Sequence, residues 1–187
     1  MIFALEGLDS SGKTTCGKLL AEQTNGTYFY AANGRLISKL RKYFDNRSTW
    51  LRFLFYLIIN FGNYFVITKK RRNGNLFLDR TVFSTVAYHK AYGLSEIWFR
   101  LIPLFLLNQI DFMVYFTVSE KERSKRIVKK IKTKDTMSKS DEKSLVLGKE
   151  IDAEYRKLTN KYTSLIIETD NKTPQQIIDE LKLKLSL

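Results

Sequence analysis

The chain has 187 residues, 44% apolar and 13% aromatic, enough for one domain whose core needs no metal or disulfide; this excludes disordered, collagen-like and disulfide-stapled classes. Lys and Arg number 32 against 19 Asp and Glu, a net charge of +13, so the expected partners are anionic: nucleotides, nucleic acid or an anionic surface. A single cysteine, Cys16, and a single histidine, His89, exclude an intrachain disulfide and a His-rich zinc site and leave few ways to build a Ser-His-Asp triad. The opening MIFALEGLDSSGK shows no basic leader, and the expected compartment is reducing and cytoplasmic.

Short apolar runs alternate with helical patterns, the signature of βαβ units and of a parallel sheet covered on both faces, an α/β/α sandwich. Five runs read as strands: Ile2–Leu5, Tyr28–Ala31, Leu76–Leu78, Phe112–Val118 and Ser164–Glu168. Asn25-Gly26 and Asn73-Gly74 fall after helical stretches, where a left-handed residue stops a helix. A long apolar helix is predicted over 49–71. Neither 51–67, with Arg52, Asn60 and Asn63, nor 98–110, with Arg100, Pro103, Asn108 and Gln109, is uniformly apolar enough for a membrane span. The long helix is apolar on more than one stripe, which suggests that it also covers a second subunit. Thr173 and Pro174 open a final helix through Leu185. With no repeat or linker, residues 1–187 are expected to form one domain.

The segment from Lys121 to Leu147 is poor in apolar residues after Ile131; between Lys121 and Lys134 eight basic residues face Glu122 alone. It reads as a helix leading into a charged loop, about 121–147, either a solvated face or a basic lid.

Gly7-Leu8-Asp9-Ser10-Ser11-Gly12-Lys13-Thr14 matches the phosphate-loop pattern GxxxxGK[ST] at every fixed position, after one predicted strand and before the helical stretch Thr14–Gln23. The two glycines let the backbone curl so that N–H groups of the loop and helix start, Ser10 to Thr15 included, point at a β-phosphate; Lys13 reaches the β- and γ-phosphates and Thr14 holds Mg²⁺. A nucleoside triphosphate, ATP with Mg²⁺, is the expected ligand. Asp79, ending Leu76-Phe77-Leu78-Asp79, supplies the second carboxylate near the metal. Cys16 reads as a small core residue and His89 as a non-catalytic one.

Glu6 to Thr15 fit EGxDxxGKxT, and Asp79 to Tyr88 fit DRxxxSxxAY; with these two motifs in this order the sequence resembles the thymidylate kinase family of nucleoside monophosphate kinases. The likeness runs on through the basic segment Glu120–Asp135, Tyr155, and Ile167-Glu168-Thr169-Asp170-Asn171. It implies a P-loop NTPase fold with a five-stranded parallel sheet, a homodimer, and transfer of the ATP γ-phosphoryl group to dTMP, with neither a membrane nor a nucleic acid as partner. It further implies that Asp9 accepts the sugar 3′-hydroxyl, Arg80 clamps the acceptor phosphate, Ser84 faces the base, Tyr88 crowds the 2′ position, Tyr56 stacks on thymine, and Asp170 lies where the family holds adenine.

The sequence departs from the family after the second strand, at Asn60, and at Thr81 after Asp79-Arg80, the last within the range the family tolerates. No arginine follows the second strand in register, so Arg35 or Arg41 is expected to take its place at the acceptor phosphate. Asn60 stands where the family has an arginine reading thymine O4. Ser10 occupies a loop position that holds arginine in some members, so the positive charge over the γ-phosphate is expected from the lid: Arg123, Arg126, or one of Lys129, Lys130, Lys132 and Lys134. Three alternatives stay open: a deoxynucleoside kinase, a monophosphate kinase of different base preference, and a nucleic-acid-binding P-loop protein, whose affinity would fall steeply with salt.

Overall fold

The computed structural model describes residues 1–31, 34–71, 74–134 and 145–187, and their side chains except those of Arg35 and residues 131–134. The loop end of the expected lid, with the side chains of Lys132 and Lys134, lies outside the described residues, as does Asn73.

All five expected strands form: β1 (Ile2–Gly7), β2 (Thr27–Tyr30), β3 (Leu76–Asp79), β4 (Phe112–Thr117) and β5 (Ser164–Glu168), in one all-parallel sheet of order β2-β3-β1-β4-β5. Among the described residues the helices are α1 (Lys13–Gln23), α2 (Arg35–Phe44), α3 (Thr49–Lys70), α4 (Val82–Ala91), α5 (Leu104–Asn108), α6 (Glu120–Lys134), α7 (Gly148–Lys161) and α8 (Pro174–Leu185), with a 3-10 turn over Glu96–Leu101.

Strand side chains alternate faces, so the core divides into two layers. On one face Phe3, Leu5, Val114 and Phe116 pack against α1 and against Ile177, Ile178 and Leu181 of α8. On the other, Ala4, Met113 and Tyr115 meet Phe53 of α3, the apolar side of α4, and Ile151 and Tyr155 of α7. Because β1 and β4 are covered on both sides, nearly every residue in them is apolar, which is why these strands were legible as continuous runs.

Helix ends follow their local chemistry. Asn25 takes φ 50 after α1. Thr173 and Gln176 form a reciprocal capping box at α8, with Pro174 beside it. Thr81 accepts from Phe83 N and so caps α4. Helix α3 is long and apolar enough to cross a membrane by length and composition, yet Arg52, Phe53, Phe55, Asn60 and Ile67 are buried within the protein.

The first and third strands carry the site. β1 lies between β3 and β4; α1, which follows β1, covers one face of the sheet and α4, which follows β3, covers the other, so the crevice at the carboxyl ends of these strands is the topological switch point where α/β folds bind ligands.

Candidate active site

The loop from Gly7 to Gly12 links β1 to α1, and its two glycines have distinct reasons. Gly7 sits at φ 144, and a Cβ there would lie 2.5 Å from the Phe116 carbonyl oxygen of the neighbouring strand. Gly12 takes φ 96 at the N-cap of α1, where a Cβ would meet only Cys16 Sγ, at an ordinary 4.0 Å. Sterics demand the first glycine and backbone conformation the second. Ser10 adds a further left-handed residue at φ 65.

Lys13 is buried and its ammonium donates to Leu8 O at 2.6 Å and Ser11 Oγ at 3.3 Å. Burial, and then the nearby Arg80 charge, lower its pKa from 10.5 to about 8. Thr14 Oγ1 donates to Asp79 Oδ2 at 2.5 Å, and Tyr28 Oη to the same oxygen at 2.7 Å. A hydroxyl and a carboxylate at hydrogen-bond distance, beside a phosphate-binding loop, are the hard oxygen donors Mg²⁺ takes, with phosphate and water oxygens filling its other positions. The residues present therefore fit that ion.

Two clefts open on this crevice. The outer one, over the phosphate loop, is lined by Ser10, Gly12, Lys13, Thr14, Thr15, Cys16 and Asp79 below, and by Lys125, Arg126, Lys129 and Lys130 of α6 and Lys172 above. The inner one runs under α3 and is lined by Arg52, Tyr56, Asn60, Ser84, Thr85, Tyr88 and His89 among others. Asp9, Tyr30, Arg41 and Arg80 line both. That shared border is where groups held in the two clefts would meet.

Arg80 is the best-fixed member of this border. Its backbone takes φ 71, a left-handed conformation costing roughly 1–2 kcal/mol in a non-glycine residue. Its guanidinium pairs with Asp9 Oδ1, donates to Gly7 O at 3.2 Å and lies 5.0 Å from the Tyr88 ring centre. Burial alone would raise the Asp9 pKa; Arg80 and then Lys13 outweigh it and hold the carboxyl below its usual range.

Behind Arg80 lies a hub the sequence did not announce. Glu6, fully buried, accepts from Thr81 N at 2.8 Å, Thr81 Oγ1 at 2.7 Å, Ser84 Oγ, and Tyr155 Oη at 3.0 Å. Burial, then the Glu6 charge, push the Tyr155 phenol well above its usual pKa, so it stays a donor. The hub ties β1, the start of α4 and α7 together and fixes the peptide from which Arg80 projects. Sequence reading took Glu6 only as a motif letter, although a charged residue ending an otherwise apolar strand must find buried partners.

The other expected site residues fall as follows. Gly7 and Ser11 shape the loop from beneath, Ser11 Oγ accepting from Lys13. Ser84 lines the inner cleft, but its hydroxyl is engaged by Glu6 and Tyr155. Tyr56 and Asn60 line the same cleft one helical turn apart. Arg126 lines the outer cleft and donates to Thr169 O at 2.7 Å and Thr169 Oγ1 at 3.1 Å. Arg123 lies apart from both clefts: it is buried, and a Cβ at Gly148 would stand 2.5 Å from its guanidinium. Asp170 also lies away from the cleft lining; its carboxylate accepts from Ser119 N at 3.1 and 3.0 Å. Arg35 begins α2, and its side chain lies outside the described residues, whereas Arg41, one helical stretch on, stands at the shared border. Of the two arginines expected there, Arg41 is thus the one at the border, and Arg52 is an addition. The Cys16 thiol, at the floor of the outer cleft, is raised to about 11 by burial and is inert at neutral pH. Burial lowers His89 to about 4, so it is neutral across the physiological range.

A parallel five-stranded sheet between helical layers, with a phosphate loop at the switch point and a carboxylate on the neighbouring strand, defines a P-loop NTPase of the kinase type. Comparison with known proteins agrees. The thymidylate kinase family profile matches residues 5–180. A protein described as "Probable thymidylate kinase" from Methanocaldococcus jannaschii is 26% identical, over 97% of this chain and 93% of its own. The thymidylate kinase of Wolinella succinogenes is 31% identical over 70% of this chain and 71% of its own. Among solved structures, thymidylate kinase from Candida albicans superposes with a TM-score of 0.76 at 18% identity, covering 99% of this chain and 90% of its own. Deoxyadenosine kinase from M. mycoides with bound dATP gives 0.73 at 16%, covering both chains fully. The chain belongs to the thymidylate kinase family, and it is an enzyme, a kinase of nucleotide substrates.

Proposed function

We propose that the protein transfers the γ-phosphoryl group of ATP to dTMP, giving ADP and dTDP. The border shared by the two clefts carries this reading: a triphosphate on the loop and a monophosphate in the inner cleft would face each other across Arg80, Arg41 and Asp9. A phosphate monoester is already nucleophilic at neutral pH, so the reaction needs alignment and charge neutralisation more than a base. The site is furnished accordingly, with cations around the border and a histidine held neutral.

The roles follow from position. Loop N–H groups and Lys13 bind the β- and γ-phosphates. Thr14 and Asp79 hold Mg²⁺, which screens the phosphate charge when bound. Arg80 and Arg41 grip the acceptor phosphate, Arg41 standing in for the arginine missing after β2. Asp9, ionised by its pairing with Arg80, accepts the sugar 3′-hydroxyl, and Tyr88, whose hydroxyl is 3.5 Å from Asp9, fills the space a 2′-hydroxyl would need. Tyr56 offers its ring to the base. Arg126 and Lys130 of α6 supply charge over the transferring group, and α6 shields ATP from water. The setting is cytoplasmic and the enzyme works as one domain. The test is a chromatographic product assay with Mg-ATP and dTMP, using Lys13→Ala protein as the blank. Formation of dTDP absent from the blank supports the reading; ATP binding without any phosphorylated acceptor overturns it.

The Lys13 pKa of about 8 makes ATP binding depend on pH. A phosphate anion favours the ammonium form, so binding raises the Lys13 pKa. Below about pH 7 the lysine is already charged and no proton is taken up. Above about pH 8 the free protein carries a neutral lysine, binding takes up a proton, and affinity falls as pH rises. Calorimetry at pH 8.5 in two buffers of different ionisation enthalpy is expected to give different binding enthalpies; identical values would mean that Lys13 is charged in the free protein.

The outward face of α3 supports a homodimer. Ile58, Phe61 and Phe65 are 71%, 46% and 61% exposed, beside Leu104 at 72%, an apolar surface that a lone soluble chain rarely presents. Phe65→Asp is expected to convert a micromolar dimer to monomer in sedimentation velocity with its helical signal unchanged. A wild-type protein that sediments as a monomer would contradict the assignment.

A further inference from the structure

The carboxylate of Asp79 is held from two directions, and only one of them belongs to the helix after the phosphate loop. In the register of β2 against β3, Tyr28 stands opposite Phe77 and Tyr30 opposite Asp79. Side chains two apart on a strand share a face, so Tyr28 and Asp79 lie on the same side of the sheet, the side that α1 covers. The Tyr28 ring packs against the core layer of Phe3, Leu5, Leu20 and Phe77. Gly17 of α1 makes room for it: a Cβ there would lie 3.1 Å from Cδ2 and Cε2 of the ring and 2.5 Å from Leu5 Cδ1. The ring is thus seated between strand and helix, and Tyr28 also lines the outer cleft beside Thr14 and Asp79.

The hydrogen bonds that the Asp79 side chain accepts among the described residues fall on one oxygen. Thr14 Oγ1 donates to Oδ2 at 2.5 Å, and Tyr28 Oη donates to the same atom at 2.7 Å. A hydroxyl has one hydrogen and two lone pairs, so Thr14 can give its proton to Asp79 and still offer a lone pair to an ion. A single donor would leave the carboxylate free to turn about its last torsion, which is soft in aspartate. Two donors on different elements, α1 and β2, single out Oδ2 and fix the group's orientation.

We propose that Tyr28 is a positioning residue for the metal: by holding Asp79 Oδ2 from β2, its hydroxyl reserves Oδ1 for Mg²⁺ and tightens binding of the ion. The inference rests on the reading that Thr14 and Asp79 hold that ion. Groups that orient a metal-ligating carboxylate ordinarily contribute about 10- to 100-fold in metal affinity. A phenylalanine at position 28 would fill the same space against Gly17 and Leu5 but would leave Asp79 to Thr14 alone.

That substitution is the test, because Tyr28→Phe keeps the packed ring and removes only the hydroxyl. Mn²⁺, whose free form is counted by its electron paramagnetic resonance signal, is titrated into protein saturated with ADP. The wild type is expected to bind the ion more tightly than ADP alone does, and Tyr28→Phe about 10- to 100-fold more weakly than the wild type. Affinity for ADP in EDTA and the KM for dTMP are expected to stay unchanged, while the Mg²⁺ concentration giving half-maximal turnover rises. A Mn²⁺ affinity within about twofold of wild type overturns the proposal and leaves the kinase reading standing. An equal loss of ADP affinity in EDTA also overturns it, because Tyr28 would then shape the phosphate loop and not the metal site. Wild-type protein that adds nothing to the affinity of ADP for Mn²⁺ overturns both the proposal and the assignment of Thr14 and Asp79.

Discussion

Replacing Arg80 by methionine is expected to lower kcat for phosphoryl transfer by about 10²- to 10³-fold, the usual effect of removing one preorganised charge from a transferring group. Methionine keeps most of the stem and removes the guanidinium from the border of the two clefts. The loss should appear in kcat and in the KM of the acceptor, while ATP, held by the loop and Lys13, keeps its affinity within a few-fold. The substitution also leaves Asp9 without its partner. With both side chains only 19% exposed, part of the cost of an unpaired buried charge, about 1–3 kcal/mol, is expected as lost stability. Kinetics below the thermal transition of the variant separate the two effects. A variant turning over within threefold of wild type would mean that Arg80 only holds the phosphate loop in shape.

Lys13→Met is expected to cost more, about 10³-fold or beyond in kcat. Its ammonium lies at the floor of the loop, against Leu8 O and Ser11 Oγ, where a triphosphate's inner oxygens would arrive. Removing a buried cation whose pKa burial has already lowered to about 8 relieves a desolvation cost, so the variant should be at least as stable as wild type near neutral pH. A Lys13→Met protein that is both active and destabilised would contradict the account of this residue. The opposite signs on stability make the pair of variants informative together: Arg80 supports the fold that it serves and Lys13 does not.

Much of this was legible in the sequence, for local reasons. The central strands β1, β3 and β4 sit inside a sheet covered on both faces, so each shows as an apolar run of strand length, and the caps at Asn25 and Thr173 follow from their own backbone chemistry. The phosphate loop is legible because the pattern is the mechanism: Gly7 has the Phe116 carbonyl against it and Gly12 takes a left-handed turn. The parts that stayed hidden depend on contacts distant in sequence. Arg52 reads as a charge interrupting an apolar run, evidence against a membrane span; only the packing of α3 shows that it lines the inner cleft. Arg41 is one of two candidates with Arg35, and only the packing of α2 shows which of the two lines both clefts. Arg123 belongs by composition to the basic segment, yet the approach of Gly148 buries it, a close contact that spacing cannot reveal. One of the two hydrogen bonds of Asn60 Nδ2 joins residues 25 positions apart.

The central claim is that the two clefts hold two nucleotides with their phosphates meeting at Asp9, Tyr30, Arg41 and Arg80. Calorimetric binding of a bisubstrate compound, adenosine and thymidine joined 5′ to 5′ through a pentaphosphate chain, tests it most directly. The account predicts one compound per chain, bound more tightly than either ATP or dTMP, displacing both, and losing most of that gain in Arg80→Met. Binding no tighter than ATP alone, or a complex that still accepts dTMP, would contradict it.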